Sequence, residues 1–296
     1  MTTDLIYWDH NYNQILLLNF AIVIALFTSL RMFSGTLAHI NASDELLKKD
    51  NAAFGISLAG VTFAITILLS GTMYGTPDGT VMESAIAIGL YGLIGIVLMA
   101  ITRMIFDKIA LPAVSLREEI VKGNIAVAIT DASNVLAAAL IIRAVMVWIT
   151  ENTLEGIFAL LAGYAISQAV LTLATKVRFR AFETTHEGRS IEEELKTGNV
   201  ALALSVAGRK IGTAFAIMAA SQIVVYEVYD LLPILVAWAG VSVLVILIVK
   251  ILSVVAEKII LFQVDTYHEI IDQRNIAVGA LQAIIYMSMA FLLTVL

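Results

Sequence analysis

The sequence predicts an all-α, polytopic membrane protein with eight transmembrane helices in four parallel two-helix repeats. Three observations carry that prediction. The 296 residues are 60% hydrophobic and 14% charged, with a mean hydropathy of +0.92; a soluble protein has about 45–50% apolar and about 25% charged residues. Apolar runs near the ~20 residues that cross a bilayer as helix recur along the chain. One short pattern also appears four times: Lys49-Asp50-Asn51-Ala52-Ala53, Lys122-Gly123-Asn124-Ile125-Ala126, Thr197-Gly198-Asn199-Val200-Ala201 and Gln273-Arg274-Asn275-Ile276-Ala277. The four asparagines stand 73, 75 and 76 residues apart. Self-similarity at a fixed period marks repeated structural units.

The acidic start, Met1 to Gln14, lacks the basic n-region of a cleaved signal peptide, so the first apolar run is expected to remain as an anchor. Spans are predicted at about 14–38, 51–73, 81–106, 124–149, 153–177, 199–225, 231–256 and 275–296. They pair into units of about 14–73, 81–149, 153–225 and 231–296 within a single membrane domain, 1–296. Short junctions alternate with long ones. Tyr74 to Thr80 carries Gly75, Pro77 and Gly79, which is turn chemistry, and Thr150–Thr153 and Glu227–Leu231 are shorter still. Of the 18 Lys and Arg, 15 lie in the long junctions, about 39–50, 107–123, 178–198 and 257–274, or at the membrane edge beside them. An excess of basic residues marks the cytoplasmic side, so both termini are expected to be extracytoplasmic.

The long junctions are patterned too. Ser43-Asp44-Glu45, Ser115-Leu116-Arg117-Glu118-Glu119 and Ser190-Ile191-Glu192-Glu193 each put a capping hydroxyl before acids. That is the signature of a helix start, and it predicts short interfacial helices leading into the even-numbered spans. Each unit returns the chain to its starting side, so the units share one orientation, unlike inverted transporter repeats. Closure around an axis, a two-plus-two arrangement and an open row all satisfy this.

Six residues before each Asn stands an acid: Glu45 before Asn51, Glu118 before Asn124, Glu193 before Asn199 and Glu269 before Asn275. An acid, six positions, Asn, then an apolar helix rich in Ala, Gly and Ser resembles the inner-membrane family called domain of unknown function 350, or YjfL-like. The resemblance covers essentially the whole chain and implies a multi-pass inner-membrane protein built of two-helix units. It implies no activity and no catalytic residues. Unit four departs most, with Leu281, Gln282 and Ile284 where other units carry small or charged residues.

Each Asn reads either as a cap on the following helix or, with its acid, as part of a vestibule attracting cations. Deeper in the membrane stand Asp131, roughly 10 Å past Asn124, and Arg209 and Lys210, roughly 15 Å past Asn199 at about 1.5 Å per residue. Charges at such depth face a partner or a water-filled cavity. The sequence therefore predicts that Asp131 pairs with Arg209, Lys210 or both across units two and three, within a polar cluster that includes Asn134, Gln168 and Gln222. That pair is either a structural tie or a binding and permeation site.

Several function classes are excluded by the sequence. A formal charge of -6 and the lack of a basic aromatic groove argue against nucleic acid. With no cysteine there is no disulfide or thiol chemistry. Phosphate loops, HExxH and serine elbows are missing, so no enzyme and no cofactor is predicted. The expected function is a transporter or channel-like protein for an ion or small solute. The alternative is a non-catalytic membrane scaffold or lipid-organising protein. Expected partners are membrane lipids, the ion or solute, and a second copy or a cytoplasmic protein.

Overall fold

A computed structural model of the chain describes residues 13–18, 20–26, 28, 41–72, 81–149, 154–186, 188–227 and 230–295. All regular structure among them is helical. The elements are α1 (Ala42–Leu47), α2 (Ala52–Thr72), α3 (Val81–Ile105), a π-turn (Phe106–Ala110), α4 (Leu116–Val121), α5 (Ile125–Trp148) and α6 (Leu154–Thr185). There follow α7 (Ile191–Lys196), α8 (Val200–Ile223), α9 (Leu231–Ile260), a second π-turn (His268–Asp272) and α10 (Ile276–Leu292). Seven helices among the described residues are long and apolar enough to cross a membrane. A shorter apolar helix, Asn13–Leu26, begins the first predicted span. Residues 29–38 of that span lie outside the described residues, as do the predicted junctions at 74–80 and 150–153.

The interfacial helices predicted before spans two, four and six are α1, α4 and α7. Their caps differ from expectation at two sites. Ser115 stands at the N-cap of α4 but its side chain makes no capping hydrogen bond. Asn41, not Ser43, caps α1, accepting from the amides of Ser43 and Asp44. Ser190 caps α7 as predicted, by accepting from the Glu192 amide. Two spanning helices also run further than their apolar runs: α6 continues to Thr185 rather than 177 and α9 to Ile260 rather than 256. The added turns carry Arg178, Arg180 and Lys258, long basic side chains of the kind that can lay an apolar stem along the bundle and keep the charge in polar surroundings.

Helices α2, α5, α8 and α10 stand side by side in chain order, each packing most extensively on its neighbours in that series. The buried share of the spanning stretch is 83% for α5 and 72% for α8, against 39% or less for every other span. These two are the middle of the row. Alanine makes that possible: Ala126, Ala128, Ala132, Ala137, Ala138 and Ala139 of α5 are all buried. Small residues let backbones approach without lipid-driven hydrophobic association, which is how membrane helices gain packing energy. A Cβ on Gly60 would strike the backbone of Ala132, and one on Gly208 that of Ala283, so these contacts need glycine. Helix α3 lies against α2 and α5, α6 against α5 and α8, and α9 against α8 and α10.

Candidate functional site

The four asparagine turns are one construction. The residue before each Asn has positive φ: Asp50 at 48°, Gly123 at 89°, Gly198 at 80° and Arg274 at 53°. Each Asn then caps its helix. Oδ1 accepts from the amides of Phe54, Val127, Leu202 and, for Asn275, both Ala277 and Val278, at 3.0–3.4 Å. Each Nδ2 donates to an acid of its own turn: Asn51 to Glu45 (2.9 Å), Asn124 to Glu119 (3.2 Å), Asn199 to Glu194 (3.3 Å) and Asn275 to Glu269 (2.7 Å).

Two of the predicted acids are therefore corrected. Glu118 and Glu193 are exposed, and their neighbours Glu119 and Glu194 make the bond. The backbone explains the change. The amides of Asn124 and Asn199 reach the carbonyls of Glu119 and Glu194, five residues back, closing a Schellman-type turn on a glycine. Those of Asn51 and Asn275 reach Glu45 and Glu269, six back, through a wider turn. The same contact is kept with one residue more.

The same Nδ2 groups also tie the turns to one another. Asn51 donates to the Ile120 carbonyl, Asn124 to that of Leu195 and Asn199 to that of Ile270, each at 3.0 Å. All four turns thus share one end of the molecule. Three of their four carboxylates are also ion-paired: Glu45 with Lys49 at 2.6 Å, Glu119 with Lys122 at 2.7 Å and Glu194 with Arg274 at 3.7 Å. The hydrogen bond from Lys49, followed by that from Asn51, holds the Glu45 carboxyl below the usual carboxylate range; Lys122 does the same for Glu119. Acids neutralised in this way are capping and stitching groups rather than a cation-attracting ring.

The intramembrane cluster is also rearranged. Asp131 makes no ion pair with Arg209 or Lys210 among the described residues, although Lys210 stands near enough to be attracted by its charge. The Asp131 Oδ2 accepts from Ser57 Oγ at 2.6 Å and from Arg103 at 2.8 Å. Asp131 is fully buried, and its Oδ1 has no hydrogen-bond partner among the described residues. Lys210, one turn deeper on the facing helix, instead sets its ammonium 3.0 Å from the centroid of the Phe106 ring, a cation–π contact. The π-turn after α3 delivers that ring. Gln168 accepts from Thr102 Oγ1 at 3.2 Å and donates to Thr172, tying α6 to α3. Asn134 is buried, with Nδ2 lacking a partner among the described residues. Gln222 is exposed at the last turn of α8, away from the turn end, and does not join the cluster.

Arg209 faces somewhere else entirely. A cavity of about 590 Å³ lies between α6, α8, α9 and α10, lined by Arg178, Arg209, Lys250, Glu257, Gln282 and Tyr286 among mostly apolar side chains. Arg178 donates to Thr213 Oγ1 at 3.2 Å and to the Tyr286 hydroxyl at 3.4 Å, with its guanidinium 5.6 Å from that ring's centroid. Gln282 donates to Glu257 at 2.6 Å and accepts from Ser205. At the turn end the lining includes His186 stacked on Tyr267, ring centroids 4.0 Å apart.

Sequence reasoning missed Ser57, Arg103, Arg178, Lys250 and Glu257 as site residues. Arg103 and Arg178 lie at the charged ends of apolar runs, where they register as topology signals. For the acids a better signal existed. In every turn the bonded Glu is followed at once by Leu or Ile (Leu46, Ile120, Leu195, Ile270), and three of those carbonyls receive the cross-turn bond.

Comparison with curated proteins and with solved structures returned no match. The family model described as Domain of Unknown Function (DUF350) matches twice, over residues 6–146 and 152–296. Each match contains two of the four asparagine turns. The turn pattern that suggested this family is thus matched across nearly the whole chain, which belongs to the DUF350 family as a multi-pass inner-membrane protein.

Proposed function

We propose that the chain is a non-enzymatic transporter or channel-like protein for a small solute, working through the cavity between α6, α8, α9 and α10. One observation carries this reading. A space of about 590 Å³ among spanning helices holds Arg178, Arg209, Lys250 and Glu257 on its wall. Ionisable groups inside a membrane protein are costly and mark solute pathways. The Asp131 site, from which the sequence argued transport, is closed by its own ion pair and does not support it. The cavity takes its place.

The arrangement we propose around it is eight spans in four parallel two-helix units, with the asparagine turns in the cytoplasm and both termini outside. The turns' shared end, the hydrogen bonds linking them and the concentration of Lys and Arg there support this.

The test is flux. Proteoliposomes of phosphatidylcholine holding the purified chain are assayed with potassium, chloride and phosphate, and with labelled organic anions. At least one flux should exceed that of empty vesicles and be lost in Ile246→Trp, which fills the cavity from α9. No flux above empty vesicles for any of these probes, or flux that Ile246→Trp leaves unchanged in a folded protein, overturns the reading.

A further inference from the structure

The charge on the cavity wall does not balance. Arg178, Arg209 and Lys250 face one acid, Glu257, whose carboxylate is already held by Gln282 at 2.6 Å. Among the described residues Arg178 bonds the neutral oxygens of Thr213 and Tyr286 alone. No ion pair joins Arg178, Arg209 or Lys250 to a carboxylate among the described residues. Arg178, Arg209 and Glu257 line the same cavity wall. A guanidinium does not discharge by losing its proton in a protein, so two of them in a low-dielectric wall call for an anion from outside. Their planar forks suit the paired oxygens of a phosphate or carboxylate.

The rest of the lining says what carries that anion. Between α6 and α9 the wall is Val170, Leu173, Val177, Val243, Ile246 and Leu247. Leu173, Val177, Val243 and Leu247 are also exposed on the protein's side, where the solvent is hydrocarbon. The space therefore opens laterally toward lipid through an apolar slot, with its cations at the inner wall. A fully hydrated inorganic ion has no use for such an entrance.

We propose that the cavity binds an amphipathic anion, with Arg178 and Arg209 gripping its phosphate- or carboxylate-type head and the α6–α9 slot holding its chain. This deepens the reading of the cavity as the working site and rests on it. Glu257 offsets one of the cations and orients Gln282 without competing for the head. Lys250, at the rim, draws the anion in.

The experiment measures binding apart from transport. The full chain in maltoside detergent is titrated with dodecyl phosphate, dodecyltrimethylammonium and inorganic phosphate, with affinity and Tm read together. Dodecyl phosphate should bind at least about tenfold more tightly than either comparison ligand and raise Tm. Arg178→Gln and Arg209→Gln should each weaken it by about tenfold, the loss expected of one charge-assisted contact, while Glu257→Gln tightens it. Arg178→Lys keeps the charge but not the fork and should lie between; because it conserves the local charge, it also separates lost binding from lost folding. Equal affinity for the cationic and anionic amphiphiles overturns the proposal, as does binding that neither arginine change weakens. Inorganic phosphate binding as tightly as dodecyl phosphate overturns the amphiphile and assigns a free oxyanion. Short-chain phosphatidylglycerol competing with dodecyl phosphate identifies a bilayer lipid as the source; failure to compete identifies a single-chain anion. Binding without flux removes transport and leaves this inference. Flux indifferent to both arginines does the reverse.

Discussion

The α2–α5 contact and the α8–α10 contact are the same joint used for different ends. Ser57 and Ser205 each stand six residues beyond a turn Asn; Asp131 and Gln282 each stand seven beyond the next. Serine donates to its partner in both. Gly60 meets Ala132 as Gly208 meets Ala283. The covering helix then supplies a charge: Arg103 from α3 in the first joint, Glu257 from α9 in the second. The polarity is exchanged. In the first joint the acid sits on the inner helix and the base on the cover, and the ion pair closes the site. In the second an amide replaces the acid, the cover brings a carboxylate, and a cavity remains beside it. The two DUF350 matches divide the chain between these joints. A shared frame therefore carries an acid–arginine pair in one half and an amide–carboxylate pair beside a cavity in the other.

The sharpest way to break that comparison is Arg103→Gln. It strands the fully buried Asp131 carboxylate and should cost about 3 kcal/mol or more, the range for a broken buried pair. Asp131→Asn should cost less, because the Arg103 side chain is 41% exposed and keeps access to polar surroundings. The double change should recover most of the loss of Arg103→Gln. Unfolding of the detergent-solubilised protein measures all three. A double variant as unstable as Arg103→Gln alone would show that the joint is not held by this pair.

A smaller effect sharpens the contrast between the middle of the row and its end. Asn199 caps α8, holds Glu194 and bonds the Ile270 carbonyl, whereas Asn275 caps and holds Glu269 with no further turn to reach among the described residues. Asn199→Ala should cost about 2 kcal/mol and Asn275→Ala about 1, adding a buried cross-turn bond to an ordinary cap. Equal losses would reduce the cross-turn bond to decoration.

The smallest effect separates adjacent acids. Glu119→Gln should lower stability by about 0.5–1 kcal/mol and Glu118→Gln by less than about 0.5, since only Glu119 holds Asn124 and Lys122. Acid should act in the same direction. The folded-state pKa values of Glu45 and Glu119 lie below the ordinary 4.5, so their contribution is fully present above that value. It is lost as the pH falls through the depressed ones. A melting temperature that keeps its neutral value through that descent would contradict the assignment.

Much of this was legible, and what was not has a physical cause. Spans α5 and α8 declare themselves by hydropathy, and the four asparagines by their period. The acids were misread only where the chain offers two in succession, Glu118-Glu119 and Glu193-Glu194; counting back six chose the exposed member. The partner of Asp131 was hidden for another reason. Depth along a helix follows from sequence, but the direction a side chain faces depends on how the helices stand around it. Asp131 faces α2 and the end of α3, Lys210 the Phe106 ring and Arg209 the cavity. Arg178 escaped because α6 stays helical past the end of its apolar run.

The turns at Asn51 and Asn275 carry one residue more than those at Asn124 and Asn199, and the helix beyond each begins in the same way. Inside a continuous helix an added residue would rotate everything downstream by about 100° and carry its apolar stripe off the core. Here the left-handed residue and the capping Asn restart the count. Insertions and deletions before an Asn stay local, so each spanning helix keeps its phase whatever its predecessor has gained or lost. Gene duplicates of such a unit can drift in length at their junctions while their buried faces remain in step.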